Sequence, residues 1–171
     1  MKKKLIYIFI LFISVLFIGA CNTLKNTDYL RLHIRANSNA EIDQEVKYKV
    51  KDKLVEYITP LICNAKSKEE LIQILEANFN GMERVADKVL KDNGFNYKSH
   101  IEINNELFPT RYYGEFLLES DYYDALIVNL GTGSGDNWWC VVYPPLCFVE
   151  NSSEKVVYKS KILEIIKQFF N

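Results

Sequence analysis

The sequence predicts an α+β fold, with a mostly antiparallel sheet of about four to five strands packed against two N-terminal helices and a C-terminal helix. The prediction depends on the order of two patterns. After one short strand, apolar residues recur at helical spacing from about residue 40 to residue 93, and from residue 97 to residue 143 they follow the period of strands. A chain that segregates helical and strand patterns in this way is typical of α+β domains.

The chain begins with the pattern of an export signal. Lysines at positions 2 to 4 precede an almost wholly apolar stretch from 5 to 20, which ends in small residues just before Cys21. We therefore expect residues 1–20 to form a signal peptide or an N-terminal membrane anchor, residues 21–28 a tether, and residues 29–171 a single domain. Ile18-Gly19-Ala20-Cys21 is similar to a bacterial lipobox, so Cys21 is a candidate for lipidation. The alternative is an ordinary residue beside the end of the signal.

The charge of the exported part excludes one class of partner. Loss of the three signal lysines from 21 basic residues leaves 18 against 22 acidic residues, a net charge near −4. Because nucleic-acid binding requires a basic surface, no nucleic-acid partner is predicted.

The first strand is predicted at residues 29–34, where apolar and polar side chains alternate. Successive side chains of a strand point to opposite faces. One face is therefore expected to carry Leu30, Leu32 and Ile34, and the other Arg31, His33 and Arg35.

The first helix is predicted at roughly 40–62. Ser38 followed by Glu41 has the spacing of a capping box. Apolar residues then recur at helical spacing until Pro60 disturbs the end of the helix.

A second helix is predicted to begin at a similar pair, Ser67 with Glu70, and to stop at Asn93-Gly94. Glycine at that position suits the left-handed conformation in which many helices end. Asn80-Gly81 is expected to kink this helix.

The second half of the chain is predicted to hold four strands, at residues 97–104, 114–118, 122–130 and 138–143. The third of these is apolar on both faces from Ala125 to Val128, so it is expected to be central in the sheet. Apolar residues between Ile162 and Phe170 predict the amphipathic C-terminal helix.

The glycine-rich segment 131–135 superficially resembles a phosphate-binding loop. Such loops need a helix N-terminus behind them, whereas here another strand begins at Asn137, so a hairpin connection is predicted instead. Cys140 and Cys147 with a distant histidine match known zinc spacings poorly. No metal and no cofactor are therefore predicted.

The cysteines leave two interpretations open. A thiol hydrolase needs a histidine beside its thiolate, and the chain offers only His33 and His100, both expected on exposed strand faces. Cys140 and Cys147 lie among apolar residues, where two buried thiols or a disulfide closed across Pro144-Pro145 are the usual outcomes. No catalytic residue is assigned, and a secreted thiol hydrolase using Cys140 remains the alternative function.

Two adjacent tryptophans lie on the last predicted strand. The side chains of Trp138 and Trp139 must point to opposite faces, so one is expected to fill the core and the other to lie outside it or under a loop. The sequence does not show which is which.

Three blocks of residues carry a family resemblance. The first runs from Arg31 to Ser38 and continues with Asp43-Gln44 and Lys47. The second is the segment 109–114. The third comprises the glycine-rich segment, Asn137-Trp138-Trp139-Cys140 and the segment 144–148. On these blocks, over roughly residues 30–150, the chain resembles the stage II sporulation protein R family of endospore-forming bacteria.

The resemblance implies a role in signalling between two cells during sporulation. Members of the family are made in the forespore, exported into the space between the two facing membranes, and required to activate a membrane-embedded aspartic protease of the mother cell. That protease, stage II sporulation protein GA, then cleaves pro-sigma-E. The resemblance implies a protease activator that is not itself an enzyme. The candidate partner-binding residues are Arg31, His33, Arg35, Asn37, Arg111, Tyr113, Asn137, Trp138 and Trp139.

Overall fold

A computed structural model describes residues 28–63, 65–113 and 116–145. Cys21, Cys147 and the predicted C-terminal helix lie outside these residues. The helices are α1 (Glu41–Ile62), α2 (Lys68–Glu76) and α3 (Phe79–Asp92). The strands are β1 (Leu30–Arg35), β2 (Ser99–Phe108), β3 (Arg111–Tyr113), β4 (Phe116–Leu118), β5 (Asp121–Leu130) and β6 (Asn137–Tyr143). Within the described ranges, none of the helices is both long and apolar enough to cross a membrane.

The main sheet has four strands in the order β2-β5-β1-β6, and β3 pairs with β4 in a separate two-stranded sheet. β1 runs parallel to β5, and the other pairings are antiparallel. The predicted α+β class with a mostly antiparallel sheet is therefore confirmed. β5 lies inside the sheet, as its apolar sequence predicted.

The segment 131–135 is not a hairpin turn, so that prediction was wrong. β5 and β6 lie on either side of β1, and the segment crosses the end of β1 to join them. The Gly135 N–H donates to the Ala36 carbonyl over 2.9 Å. A Cβ at Gly135 would collide with the Ser38 carbonyl oxygen, so this close backbone approach requires glycine. The pairing was missed because β1 enters the sheet from the far end of the sequence.

The three helices cover one face of the main sheet and form the larger core with it. Leu30, Leu32 and Ile34 point into this core from β1, as the alternation predicted. From β5, Leu126, Val128 and Leu130 are buried in the same core. Burying a leucine- or valine-sized side chain contributes about 1.5–3 kcal/mol, so this face supplies most of the hydrophobic stabilisation.

The predicted second helix is two helices, because the chain breaks at Ala77 and Asn78 rather than kinking at Asn80-Gly81. The Asn78 side-chain amide donates to the Ile74 carbonyl over 2.7 Å and accepts from the Tyr57 hydroxyl over 3.3 Å. Gly81 lies inside α3, where it leaves room for the Tyr57 ring.

The helix starts follow the capping predictions only in part. At α2, the Ser67 hydroxyl accepts from the Glu70 N–H over 3.1 Å, so this cap is confirmed. At α1, the capping prediction was wrong. The cap residue there is Ala40, and no side chain caps the helix. Pro60 lies within α1, which continues to Ile62.

The Ser38 hydroxyl takes part in another contact. It donates to the Asp43 carboxylate over 2.5 Å, and it accepts from the Ala40 N–H over 3.1 Å. The serine therefore orders the loop before α1 instead of capping the helix.

Candidate functional site

The face of the main sheet that points away from the helices carries a second cluster of buried side chains. Arg31, His33 and Arg35 point there from β1, as the alternation predicted. They meet residues of β2, β3, β5 and β6. We call this set the polar–aromatic cluster: Arg31, His33, Arg35, Glu106, Phe108, Tyr113, Tyr123 and Trp139.

The first strand's polar face is buried rather than exposed. Arg31 is 0% exposed and His33 is 2% exposed, so the expectation that His33 lies on an exposed face was wrong. The reason is that β3 and β4 extend the β2–β5 pair and fold back over this face. Leu118 of β4 is buried in the same cluster as Phe108. His100 does lie on the surface, with its Nδ1 3.5 Å from the Glu83 carboxylate.

Arg31 is held by aromatic rings rather than by a carboxylate. Its guanidinium carbon lies 4.4 Å from the ring centroid of Phe108, 4.8 Å from that of Tyr123 and 5.4 Å from that of Tyr113. Its Nη2 donates to the Tyr113 hydroxyl over 2.8 Å. Within the described part of the chain, Nε and Nη1 have no hydrogen-bond partner. Burial lowers the pKa of Arg31 and raises that of Tyr113.

Arg35, Glu106 and His33 form a network of hydrogen bonds on the same face. Arg35 Nη2 donates to both carboxylate oxygens of Glu106, over 2.8 and 2.7 Å, and Nη1 donates to Asn129 over 3.2 Å. His33 Nδ1 lies 3.2 Å from Glu106. The imidazole stacks on Trp139 with ring centroids 3.9 Å apart and meets the edge of Phe108 at 5.6 Å.

The environment favours the neutral form of His33. Burial lowers its pKa, and the neighbouring Arg35 guanidinium lowers it further, although Glu106 acts in the opposite direction. At neutral pH the ring is therefore uncharged, and Nδ1–H donates to the Glu106 carboxylate. In the described residues, His33 Nε2 has no hydrogen-bond partner.

The free energy of unfolding should therefore fall as the pH is lowered from about 6.5, the ordinary pKa of histidine. Below that pH the unfolded chain binds a proton that the folded chain does not, so acid favours unfolding until the folded-state pKa is passed. Urea unfolding followed at several pH values measures the slope. His33→Gln should flatten it, whereas His100→Gln at the exposed histidine should not. An unchanged slope in the His33→Gln chain would contradict the buried, neutral state.

The two tryptophans point to opposite faces, as predicted. Trp139 lies in the polar–aromatic cluster. Trp138 packs against the helix-facing core, and Lys51 Nζ lies 5.5 Å from its ring. Trp138 is therefore the tryptophan that completes the core beneath the helices.

The remaining candidate residues are scattered. Tyr113 belongs to the cluster, and Asn137 begins β6 with its Oδ1 buried and without a hydrogen-bond partner in the described residues. Arg111 is exposed at the start of β3. Asn37 lies elsewhere, because it holds the loop that crosses β1. Its Nδ2 donates to Asp43 over 3.1 Å, and its Oδ1 accepts from the Thr132 N–H over 3.0 Å.

The same network joins two of the blocks that carry the family resemblance. Tyr97 donates to Asp43 over 2.6 Å, which together with burial raises the pKa of the Tyr97 hydroxyl. Lys47 is 1% exposed, and its Nζ donates to the Asp136 carbonyl over 2.9 Å and to Gln44 over 2.6 Å. Through these contacts, residues of the first block between Asn37 and Lys47 hold the segment 131–136 in place.

Three members of the cluster were missed from the sequence, Glu106, Phe108 and Tyr123, and so was Asn129, which accepts a hydrogen bond from Arg35. The predicted strand ended at residue 104, whereas β2 continues to Phe108. The alternation that places Glu102 on the polar face extends to Glu106, and this was the available signal. Sequence alone does not show that β3 and β4 cover these side chains.

Cys140 is placed unfavourably for thiol chemistry. It is fully buried and joined in a disulfide, and it pairs with Leu32 of β1 on the helix-facing side. His33 points to the other side of the sheet. The predicted bridge to Cys147 stays a prediction, since Cys147 lies outside the described residues. Cys63 is buried and is not in a disulfide. In the described ranges, no group of three His, Cys, Asp or Glu residues is arranged to hold a metal ion.

Comparison with known proteins gives two matches to one family. The model of the family described as Stage II sporulation protein R matches residues 26–153. The chain is also 31% identical over 139 residues to the Stage II sporulation protein R of Bacillus subtilis (strain 168), covering 81% of this chain and 62% of that protein. The matched region thus spans less than two thirds of the relative's length. No solved structure matches the chain.

Proposed function

Since this chain belongs to the stage II sporulation protein R family, we propose that it is an exported signalling protein of sporulation that activates the membrane-embedded aspartic protease of the mother cell. That protease, stage II sporulation protein GA, would then process pro-sigma-E. The observation that carries the proposal is the family match over residues 26–153, which includes all three blocks of the resemblance.

The proposed location is the space between the forespore and mother-cell membranes. The apolar stretch from 5 to 20, with lysines before it and small residues at its end, supports export. Lipidation of Cys21 or an uncleaved anchor would keep the domain at a membrane and raise its effective concentration near a membrane protease. Mass spectrometry of the mature N-terminus distinguishes these states.

The geometry of the polar–aromatic cluster supports a structural role over a hydrolytic one. The Arg31 guanidinium is enclosed by three rings, and the His33 and Arg35 side chains both engage Glu106. His33 cannot activate Cys140 as a nucleophile, because the Cys140 sulfur is in a disulfide on the other face of the sheet. The cluster therefore fits a role in shaping the domain.

Co-expression in a non-sporulating host tests the proposal. The full chain, the protease and pro-sigma-E are produced together, and cleavage of pro-sigma-E is scored by immunoblot. Cleavage should require both the chain and the protease. A chain lacking residues 2–20 should fail, because it stays in the cytoplasm. Absence of cleavage with an exported, folded full-length chain would refute the proposed function.

Cys140→Ser separates an activator from a thiol enzyme. Loss of the disulfide should lower the free energy of unfolding by about 2–4 kcal/mol, while the folded fraction should still activate the protease. Thermal unfolding and the cleavage assay, normalised to folded protein, measure the two effects. Complete loss of activation in a folded Cys140→Ser chain would instead support the hydrolase alternative. Cys63→Ser is the control for loss of a buried thiol.

A further inference from the structure

Two strand pairs follow one another along the chain and form a two-stranded ribbon with one interruption. β2 pairs with β5 as far as Phe108 and Asp121, and β3 pairs with β4 from Arg111 and Leu118 onward. The ribbon turns at residues 109–110 and 119–120, where the Ser120 N–H donates to the Thr110 hydroxyl over 3.0 Å. Beyond this turn the ribbon covers the polar–aromatic cluster.

The side of the ribbon turned away from the cluster carries large apolar side chains. Leu107 pairs with Tyr122, and Tyr112 pairs with Leu117. Their neighbours Phe108, Tyr113, Leu118 and Tyr123 point to the opposite side, into the cluster. We call Leu107, Tyr112, Leu117 and Tyr122 the ribbon face.

The ribbon face is well exposed. Leu107 is 57% exposed, Tyr112 74%, Leu117 44% and Tyr122 62%. Among the described residues, only two other large hydrophobic side chains are exposed, Ile42 and Tyr48 on α1. A solvated strand face normally carries polar side chains. Each pair sets two large exposed apolar side chains side by side. Groups of exposed apolar side chains mark interaction surfaces, and tyrosine is enriched among the residues that dominate binding energy.

The charges beside the ribbon face are mainly acidic. Glu119 and Asp121 are exposed at the turn, between the two apolar pairs, and the basic Arg111 is exposed at the start of β3. The exported part of the chain also has a net negative charge. An acidic rim favours a partner that presents basic groups and disfavours an anionic lipid surface.

From these observations we propose that the ribbon face is a docking surface for a protein partner whose own surface is apolar and flanked by lysine or arginine. This inference rests on the proposed function, in which that partner is the membrane protease. It changes the set of residues expected to bind the partner. Arg31, His33 and Trp139, which were candidates from the sequence, lie beneath the ribbon. These residues position the ribbon through contacts such as Arg31 with Tyr113, and the exposed residues above them bind.

Two double variants and one control test the docking surface in the full chain. The variants are Leu107→Ser with Tyr122→Ser, and Tyr112→Ser with Leu117→Ser. The control is Ile42→Ser with Tyr48→Ser, which removes exposed apolar side chains from α1. Thermal unfolding should show that all three stay folded. In the co-expression assay, each ribbon variant should lose at least about tenfold in pro-sigma-E cleavage, and the control should stay within about twofold.

Direct binding distinguishes this inference from the proposed function. The purified chain is mixed with membranes that contain the protease or lack it, and the bound fraction is measured after sedimentation. Ribbon variants should lose binding to protease-containing membranes. Glu119→Lys with Asp121→Lys should weaken binding too, because it reverses the acidic rim.

The outcomes are separable. Ribbon-dependent binding without cleavage would refute the activating function and retain the docking surface. Cleavage and binding that survive in both ribbon variants would refute the docking surface and retain the function. Equal ribbon-dependent binding to membranes with and without the protease would identify lipid as the occupant and overturn the inference, as would failure of the unaltered chain to bind either membrane.

Discussion

Glu106→Ala should lower the free energy of unfolding by about 3 kcal/mol. Glu106 is the carboxylate that Arg35 and His33 share, and its side chain is only 23% exposed. Its removal leaves the partly buried Arg35 cation without its counter-charge. Removing one partner of a buried ion pair is strongly destabilising, because the remaining charge stays desolvated.

Glu102→Ala is the matched control for this prediction. Glu102 lies on the same strand and the same face, and it accepts one long hydrogen bond of 3.4 Å from Asn129. Its loss should change the free energy of unfolding by about 0.5 kcal/mol or less. Urea unfolding at neutral pH measures both. Equal effects of the two substitutions would show that the hydrogen bonds of Glu106 with Arg35 and His33 do not stabilise the domain.

Gly135→Ala should destabilise the fold by a similar amount, about 3 kcal/mol, for a steric reason. The new Cβ would meet the backbone of Ser38, its carbonyl carbon and oxygen included, and backbone cannot rotate away as a side chain can. Separation of the two segments would also weaken the hydrogen bonds from Gly135 to Ala36 and from the Asp136 N–H to Asn39. Overpacking of this kind costs about 1–3 kcal/mol or more.

Gly94→Ala tests whether the steric argument is right. Gly94 has a φ of +83° but open space around its Cβ position, so only backbone strain of about 1 kcal/mol is expected. Chemical denaturation of the two variants gives the comparison. If Gly135→Ala were no more destabilising than Gly94→Ala, the crossing segment would not be tightly packed on the loop after β1.

Local patterns predicted the elements and the faces of the strands, because both follow from the chain's own periodicity. The alternation from Leu30 to Arg35 separated the two faces of β1 correctly, and the opposite directions of Trp138 and Trp139 followed from the same rule. The cap at Ser67 was also local, and it was confirmed.

Two of the predictions that were wrong concern contacts between distant segments. Nothing within residues 131–135 indicates that β1 separates β5 from β6, so a hairpin was the natural expectation. Likewise, His33 was expected on the surface because Arg31 and Arg35, which share its face of the strand, are charged. Its burial depends on Phe108 and Trp139, which come from other strands.

The central position of β1 has a consequence for the order of folding. Leu30 must pair with Asp124 on one side and with Tyr143 on the other. Such long sequence separations raise the contact order, which slows folding. A chain exported with its N-terminus first would present β1 early and both neighbouring strands last. The sheet would therefore close only after almost the whole described domain had crossed the membrane, and until then the apolar edge of β1 would need protection from aggregation.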